Sequence, residues 1–314
     1  MLTKNSVKDI VLLEHGVAKL LYEAFPTNSS LYILGSGASA RHSKMESALV
    51  DTIVEEYYKG GIYDVFDQTD NSLATNLLWR YMAIHEDVFL KELSRKIPDG
   101  FIKTRINEEY AQLTPLDDNP EYQVFMLAKK GSTIIDMNYE GFSAQNFKNY
   151  HHIIPMHGIA NPDLAKFTKE IRHDILTWNL DMSEHSNIKR YPGEKQSNKI
   201  IAPYKSFLSK KVFPKLLWLV IIGYSFANTS SGLNDDVLYE LIKEYVEYYK
   251  KIQIIIVNPN PEPIASLFEK ELNRMIILPA NWDTLTRAIQ VSKLILNKNH
   301  LSDIMKNYYR FLEE

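Results

Sequence analysis

Six short apolar runs recur along this 314-residue chain, and most of them stop at a glycine or a small polar residue. Leu31-Tyr32-Ile33-Leu34 runs into Gly35, Ser132 to Asp136 precedes Asn138, and His152 to Met156 precedes His157. Leu217 to Ile222 leads into Gly223, Ile252 to Val257 into Asn258, and Met275 to Leu278 completes the series. Runs this short and this rich in Ile, Val and Leu fit strands buried on both faces, which arise where helices cover a parallel sheet. Helical patterns lie between them. Alternation of the two predicts an α/β fold, a parallel sheet with helices on both faces, whose strand ends converge on one crevice.

The helical segments carry their own signals. Over 6–25, Ser6 with Asp9 marks a start, and Ile10, Leu13, Val17, Leu20 and Ala24 fall on one face. Pro26-Thr27-Asn28-Ser29-Ser30 ends it. In 234–250, Asn234 is the expected cap, Asp235 and Asp236 favour the positive end of the helix, and Val237, Leu241, Tyr245 and Tyr248 repeat at helical spacing. Residues 45–130 read as a mostly helical insert, with Trp79, Tyr81, Phe89, Leu90 and Leu93 able to line one side. A loop is expected at 114–120, and Tyr122 to Lys129 resumes a helix. Residues 159–215 read as an irregular polar insert, and 284–314 as a helical tail.

Composition narrows the chemistry. The chain has no cysteine, which removes disulfides, thiolate nucleophiles, zinc–thiolate sites and iron–sulfur clusters. A formal charge of −3 gives no electrostatic footprint for nucleic acid. Lys205, Lys210, Lys211 and Lys215 cluster, but such a run reads as a solvated face. Met1-Leu2-Thr3-Lys4-Asn5 lacks the apolar stretch of a signal peptide, and the apolar run from Leu216 to Gly223 is far too short to span a bilayer. A cytoplasmic protein is expected.

The strand ends hold the candidate site. Gly35-x-Gly37-x-Ser39 after a strand is half of a dinucleotide fingerprint: Gly35 permits the turn and Gly37 a close backbone approach to pyrophosphate. The third glycine is missing and Ser39 stands near its place. A strand–turn corner without ligand is the alternative. Asn138 can both donate to and accept from a water or a ribose hydroxyl, and it also suits a simple turn. His157 suits general-base work, although a lone His is more often a packed residue. His151 and His152 point to opposite sides of a strand, which argues against a metal site with His157. Ser225 lacks the Gly-x-Ser-x-Gly elbow because Ala227 occupies its last position, so a ribose or phosphate contact is the expected role. Asn258 could contact ribose, or serve as a turn residue before Pro259.

The order Gly35-x-Gly37-x-Ser39, Asp136-x-Asn138-x-Glu140, His157-Gly158, Gly223-x-Ser225 and Val257-Asn258 resembles the sirtuin family. That family carries Thr-x-Asn-x-Asp, His-Gly, Gly-x-Ser and a late Asn on a Rossmann domain. The resemblance covers roughly residues 31–280, with long unmatched inserts. It implies one sirtuin-like domain over 1–314, with a Rossmann core at about 26–44, 131–158 and 216–283. Departures are informative too. There are no cysteines for the zinc ribbon of the deacylases, Arg41-His42-Ser43-Lys44-Met45 replaces their Gly-Ile-Pro-Asp-Phe-Arg stretch, and Glu140 stands at their Asp.

Ile200-Ile201-Ala202-Pro203-Tyr204-Lys205, and the pair Asp235 and Asp236 after Gly223-Tyr224-Ser225, are similar to segments of bacterial sirtuin-like NADases of antiphage defence. The resemblance therefore implies hydrolysis of NAD+ at the nicotinamide–ribose bond. Asn138 and His157 would be catalytic. Gly35, Ser36, Gly37, Ala38, Ser39, Glu140, Gly223, Ser225 and Asn258 would bind the dinucleotide, with no metal. It further implies a gated, NAD-depleting effector, as a homo-oligomer or with a separately encoded ring ATPase or other defence sensor. Neither membrane nor direct nucleic-acid binding is expected. Protein deacylation and a catalytically silent NAD or ADP-ribose sensor are the alternatives.

Overall fold

Every one of the six apolar runs forms a strand in the computed structural model. β1 is Ser30–Leu34, β2 Thr133–Asp136, β3 His152–Pro155, β4 Trp218–Ile222, β5 Gln253–Val257 and β6 Met275–Leu278. The structure describes residues 13–41, 105, 108–110, 120–147, 151–160, 202, 205–226 and 235–296. The strands pair in parallel throughout, in the order β3-β2-β1-β4-β5-β6. Growth of the sheet therefore reverses between β1 and β4, and that is the topological switch point at which open α/β sheets bind ligands. This is a Rossmann-like arrangement, and it places the ends Leu34, Asp136, Pro155 and Ile222 side by side.

Alternation along the strands feeds two cores. Leu31, Ile33, Ile135, Ile154, Leu219, Ile221, Ile254 and Ile256 face one side, where Leu238, Leu241, Ile242 and Val246 of α3 (Asp236–Tyr248) cover them. Tyr32, Leu34, Ile134, Ile153, Val220, Ile222, Ile255 and Val257 face the other. There they meet Leu20, Ala24 and Phe25, then Tyr122 and Phe125, then Trp282, Leu285 and Ile289 of α5 (Trp282–Leu296). Side chains of successive strand residues point to opposite faces, so apolar residues at both parities are what a twice-covered sheet requires. Three shorter α-helices are α1 (Pro120–Gln123), α2 (Phe142–Phe147) and α4 (Glu262–Leu267).

Several expectations change in detail. The helix over 6–25 is described from residue 13, and its last turn widens to a π turn at Leu20–Ala24, closed by Phe25 N–H to Leu20 O at 2.8 Å. The Ala24 carbonyl accepts from the Ser30 and Tyr32 hydroxyls instead. The glycine loop continues, as far as residue 41, as a 3-10 turn at Ser36–Ala38 followed by a further turn. Residues 205–215, expected to be irregular, are helical turns. Their lysines face solvent, while Leu208, Val212 and Phe213 are buried and Phe213 stacks on Tyr245. The polar surface there conceals a short apolar stripe. The cap residue Asn234, most of the helical insert, most of 159–215 and the tail beyond 296 lie outside the described residues.

The end of α3 is fastened by one buried arginine. Arg274 donates to the carbonyls of Val246 (2.9 Å), Tyr249 (3.2 Å) and Ile252 (2.7 Å), and its Nε donates to Glu271 (2.9 Å). These are orphan carbonyls at a helix C-terminus and the chain entering β5, and a charged donor there also opposes the helix dipole. Arg274→Ala leaves three carbonyls without their donor and Glu271 with Lys250 alone. A loss of about 3 kcal/mol is expected in urea unfolding. A change under about 1 kcal/mol would mean that water replaces the guanidinium without cost.

Candidate functional site

Two glycine loops meet at the switch point. Gly35 N–H donates to Ile222 O (2.9 Å) and Gly37 N–H to Gly223 O (3.0 Å), which joins the loop after β1 to the loop after β4. The contact is backbone on backbone. A Cβ on Gly37 would lie 2.7 Å from the Gly223 Cα, and one on Gly223 would lie 2.5 Å from the Gly37 carbonyl carbon. Gly223 also has φ +57°, a conformation that favours glycine. Ala38 N–H donates to Gly35 O (2.8 Å) and Ser39 N–H to Ser36 O (3.2 Å). The amides of Gly37, Ala38 and Ser39 that the sequence offers to pyrophosphate thus all serve the protein's own carbonyls.

Asn138 is tied directly to that loop. Its Nδ2 donates to Gly35 O (3.1 Å) and to the Tyr122 hydroxyl (3.4 Å), and its backbone N–H donates to Asp136 Oδ1 (3.0 Å). The Tyr122 hydroxyl in turn donates to Glu140 Oε1 at 3.5 Å. Ser39 lies within hydrogen-bonding reach of both Tyr122 and Glu140, and Ser143 donates to Asp136 Oδ2. All of these side chains are buried. Residues from the β1 loop, the segment before β2 and the loop after β2 therefore form one hydrogen-bonded cluster.

Two carboxyls in that cluster interact. Burial is the main cause that raises both, Glu140 to about 8 and Asp136 to about 6. Asp136 adds repulsion to Glu140, whereas Ser143, Asn138 and the nearby His157 favour the ionised form of Asp136. The pair thus holds a proton above the ordinary carboxyl range. In the unfolded chain both groups ionise near pH 4 or slightly above. The folded protein thus keeps protons that the unfolded chain releases. That contribution to stability is complete at about pH 4 and is lost as pH rises to about 8. Glu140→Gln keeps the shape and removes the titration. Its urea midpoint is expected to fall less than the wild type's between about pH 5 and pH 8. Parallel declines in the two proteins would exclude Glu140 as the source.

His157, at the end of the adjacent strand β3, is 3% exposed. Its Nε2 lies 3.3 Å from Asp235 Oδ1, and its ring sits 5.8 Å from the Tyr139 ring, centroid to centroid. Asp235 precedes α3 but makes no side-chain cap there, and the Tyr224 hydroxyl donates to its other oxygen. A residue expected to serve the helix dipole is thus turned inward to a histidine.

Two further expected residues follow β4 and β5. Ser225 is exposed beside Phe226, which holds φ +58° and is buried. The Asn258 side-chain oxygen accepts from Asn260 N–H (2.9 Å), and its own N–H donates to Leu278 O (3.2 Å), which is the turn role. Tyr122, Ser143, Tyr224 and the partner role of Asp235 were not expected. Asp136 was the readable one, as an acid ending an otherwise apolar strand. Tyr122 gave no signal, because a tyrosine in a helical segment reads as core.

His151 is buried and its Nε2–H donates to the Phe125 carbonyl at 2.9 Å, and His152 is exposed, as the strand alternation requires. Among the described residues no three His, Asp or Glu side chains group as metal ligands would, and no helix is long and apolar enough to cross a membrane. An open groove of about 660 Å³ lies elsewhere, between Lys205, Lys270 and the Glu240, Lys243, Glu244 and Glu247 side of α3. Val237 and Leu241 line it as well, and none of the expected site residues does. Searches against protein-family models and against curated proteins find no match for this chain.

Proposed function

We propose that the chain is an NAD+ hydrolase of the sirtuin-like type, cleaving the nicotinamide–ribose bond to give nicotinamide and ADP-ribose. The observation that carries the reading is the 3.1 Å bond from Asn138 to the glycine loop, beside a buried His157 with an acidic partner. An amide and an imidazole at neighbouring strand ends, next to a glycine loop at a switch point, fit a bound dinucleotide with its reacting ribose over β2 and β3.

The chemistry asks little of an acid. Nicotinamide leaves with the C1′–N electron pair, which cancels its ring charge, while positive charge develops on the ribose. Water forms the new C1′–O bond and gives up a proton, to His157 first and then to solvent. Asn138 would orient the water and the ribose. Gly35, Ser36, Gly37, Ala38 and Ser39 would face pyrophosphate, Glu140 the nicotinamide side, and Gly223, Ser225 and Asn258 the adenosine half. For the loop amides to do so, the bonds that Gly37, Ala38 and Ser39 now make must be exchanged. That need for rearrangement supports a gated enzyme: an antiphage effector that depletes NAD+ when a homo-oligomer, a ring ATPase or another separately encoded sensor switches it on.

The same occupied amides also favour a second reading, a silent NAD or ADP-ribose sensor. The test is product release from NAD+ by the pure full-length chain, with its oligomeric state recorded in the same samples. Equal amounts of nicotinamide and ADP-ribose identify the hydrolase. NAD+ or ADP-ribose raising the melting temperature without any product, in every assembly state, identifies the sensor. O-acyl-ADP-ribose formed with an acylated peptide identifies a deacylase.

A further inference from the structure

We infer that Asp235 is the positioning residue of His157, holding the imidazole in one tautomer and orientation with Tyr224 as its brace. The inference rests on the hydrolase reading for its consequence in rate, but its geometry stands apart from it. Asp235 comes from the start of α3 and His157 from the end of β3, separated by 78 residues in the chain and meeting at 3.3 Å. Both side chains are more than nine-tenths buried.

An acidic residue in front of a helix ordinarily turns back to the first backbone N–H groups, where it stabilises the helix end. Asp235 does not. One of its oxygens accepts from the Tyr224 hydroxyl and the other faces His157 Nε2. A carboxylate can only accept, so the proton at this contact lies on Nε2, and in the neutral ring the basic lone pair lies on Nδ1. A base oriented by a buried acid that is itself held by a third group is the arrangement proton-transfer sites use. The Tyr139 ring against the imidazole limits its rotation about χ2. Asp136, the other acid acting on His157, is committed to Ser143 and to the Asn138 backbone. Asp235 is thus the acid that sets the tautomer.

The experiment compares wild type, Asp235→Asn, Asp235→Glu and Tyr224→Phe in the full chain, with two readouts. The first is the ring-nitrogen NMR spectrum of histidine-labelled protein, with the His157 signal identified by its loss in His157→Gln. The expected result is an Nε2–H tautomer in wild type and a shift towards Nδ1–H in Asp235→Asn, with melting temperatures recorded throughout. The second is turnover of NAD+. Asp235→Asn should lower kcat by about 100-fold with little change in KM, Tyr224→Phe by a smaller factor, and Asp235→Glu should recover part of the loss.

A His157 tautomer indifferent to Asp235→Asn in a folded protein overturns the positioning role. So does an unchanged kcat in a variant whose wild type is active. A wild type with no turnover in any assembly state counts against the hydrolase reading instead, and the tautomer spectrum still decides the role of Asp235. A loss of folding in Asp235→Asn that Tyr224→Phe does not share would be settled by the tautomer in Tyr224→Phe alone. A spectrum there identical to wild type overturns the brace.

Discussion

Asn138→Ala and His157→Ala are each expected to lower nicotinamide release from NAD+ by about 100-fold or more, the usual size of a positioned acid–base or orienting group. The two losses should differ in kind. His157 is proposed to act on the reacting water or ribose hydroxyl, so its removal should fall on kcat. Asn138 also holds the Gly35 carbonyl at 3.1 Å, so its removal should weaken NAD+ binding as well and cost about 1 kcal/mol of stability. Asn138→Asp separates these effects, since it keeps the volume but sets a carboxylate oxygen against the same carbonyl. If both alanine variants release nicotinamide at the wild-type rate, the chemistry lies elsewhere in the chain and the proposed function fails with it.

Gly223→Ala should be the most damaging single methyl addition at the strand ends. Its Cβ would sit 2.5 Å from two backbone atoms of Gly37 and 2.6 Å from the Ala38 nitrogen, none of which can swing away as a side-chain tip would. The residue also holds φ +57°, where a Cβ costs about 1–2 kcal/mol by itself. A loss of about 4 kcal/mol or more is expected, at the upper end of what point substitutions do. Gly131→Ala is the control. It has φ +87°, but its Cβ would meet nothing closer than His152 Nε2 at 4.0 Å, so only the backbone cost of about 1–2 kcal/mol should appear. Equal losses in the two variants would show that the glycine loops move apart without penalty, and that their contact at the switch point is not a fixed part of the fold.

The strands were legible because their composition leaves little choice. Ile254, Ile255 and Ile256 in so short a run suit a strand covered on both sides, and convergence of the strand ends on one crevice follows from how such sheets grow. The candidate site was legible as a set of positions and not as a set of contacts. Asn138 and His157 were named from their places after strands. The acid that meets His157 was visible too, but at the front of a helix its charge has a sufficient local explanation, and only the fold shows it turned inward. Tyr122 escaped notice for a different reason: its hydroxyl matters through residues 16 and 18 positions away, and no periodic pattern encodes that. Residues 205–215 misled because lysines dominate the sequence there while three apolar side chains settle where it packs.

The sheet order has a further consequence for how such a chain can diversify. β1 and β2 pair over four residues from Leu31 with Thr133 to Leu34 with Asp136, although residues 35–132 separate them. Residues 156–217 likewise separate β3 from β4. The entropy of closing a connection grows only with the logarithm of its length, by about 0.6 kcal/mol for each doubling. Once the strands have joined the sheet, a longer or shorter connection changes the balance little. Material can therefore enter or leave between the strands while Asn138, His157 and the two glycine loops keep their places, so the connections can be rewritten without disturbing the geometry at the strand ends.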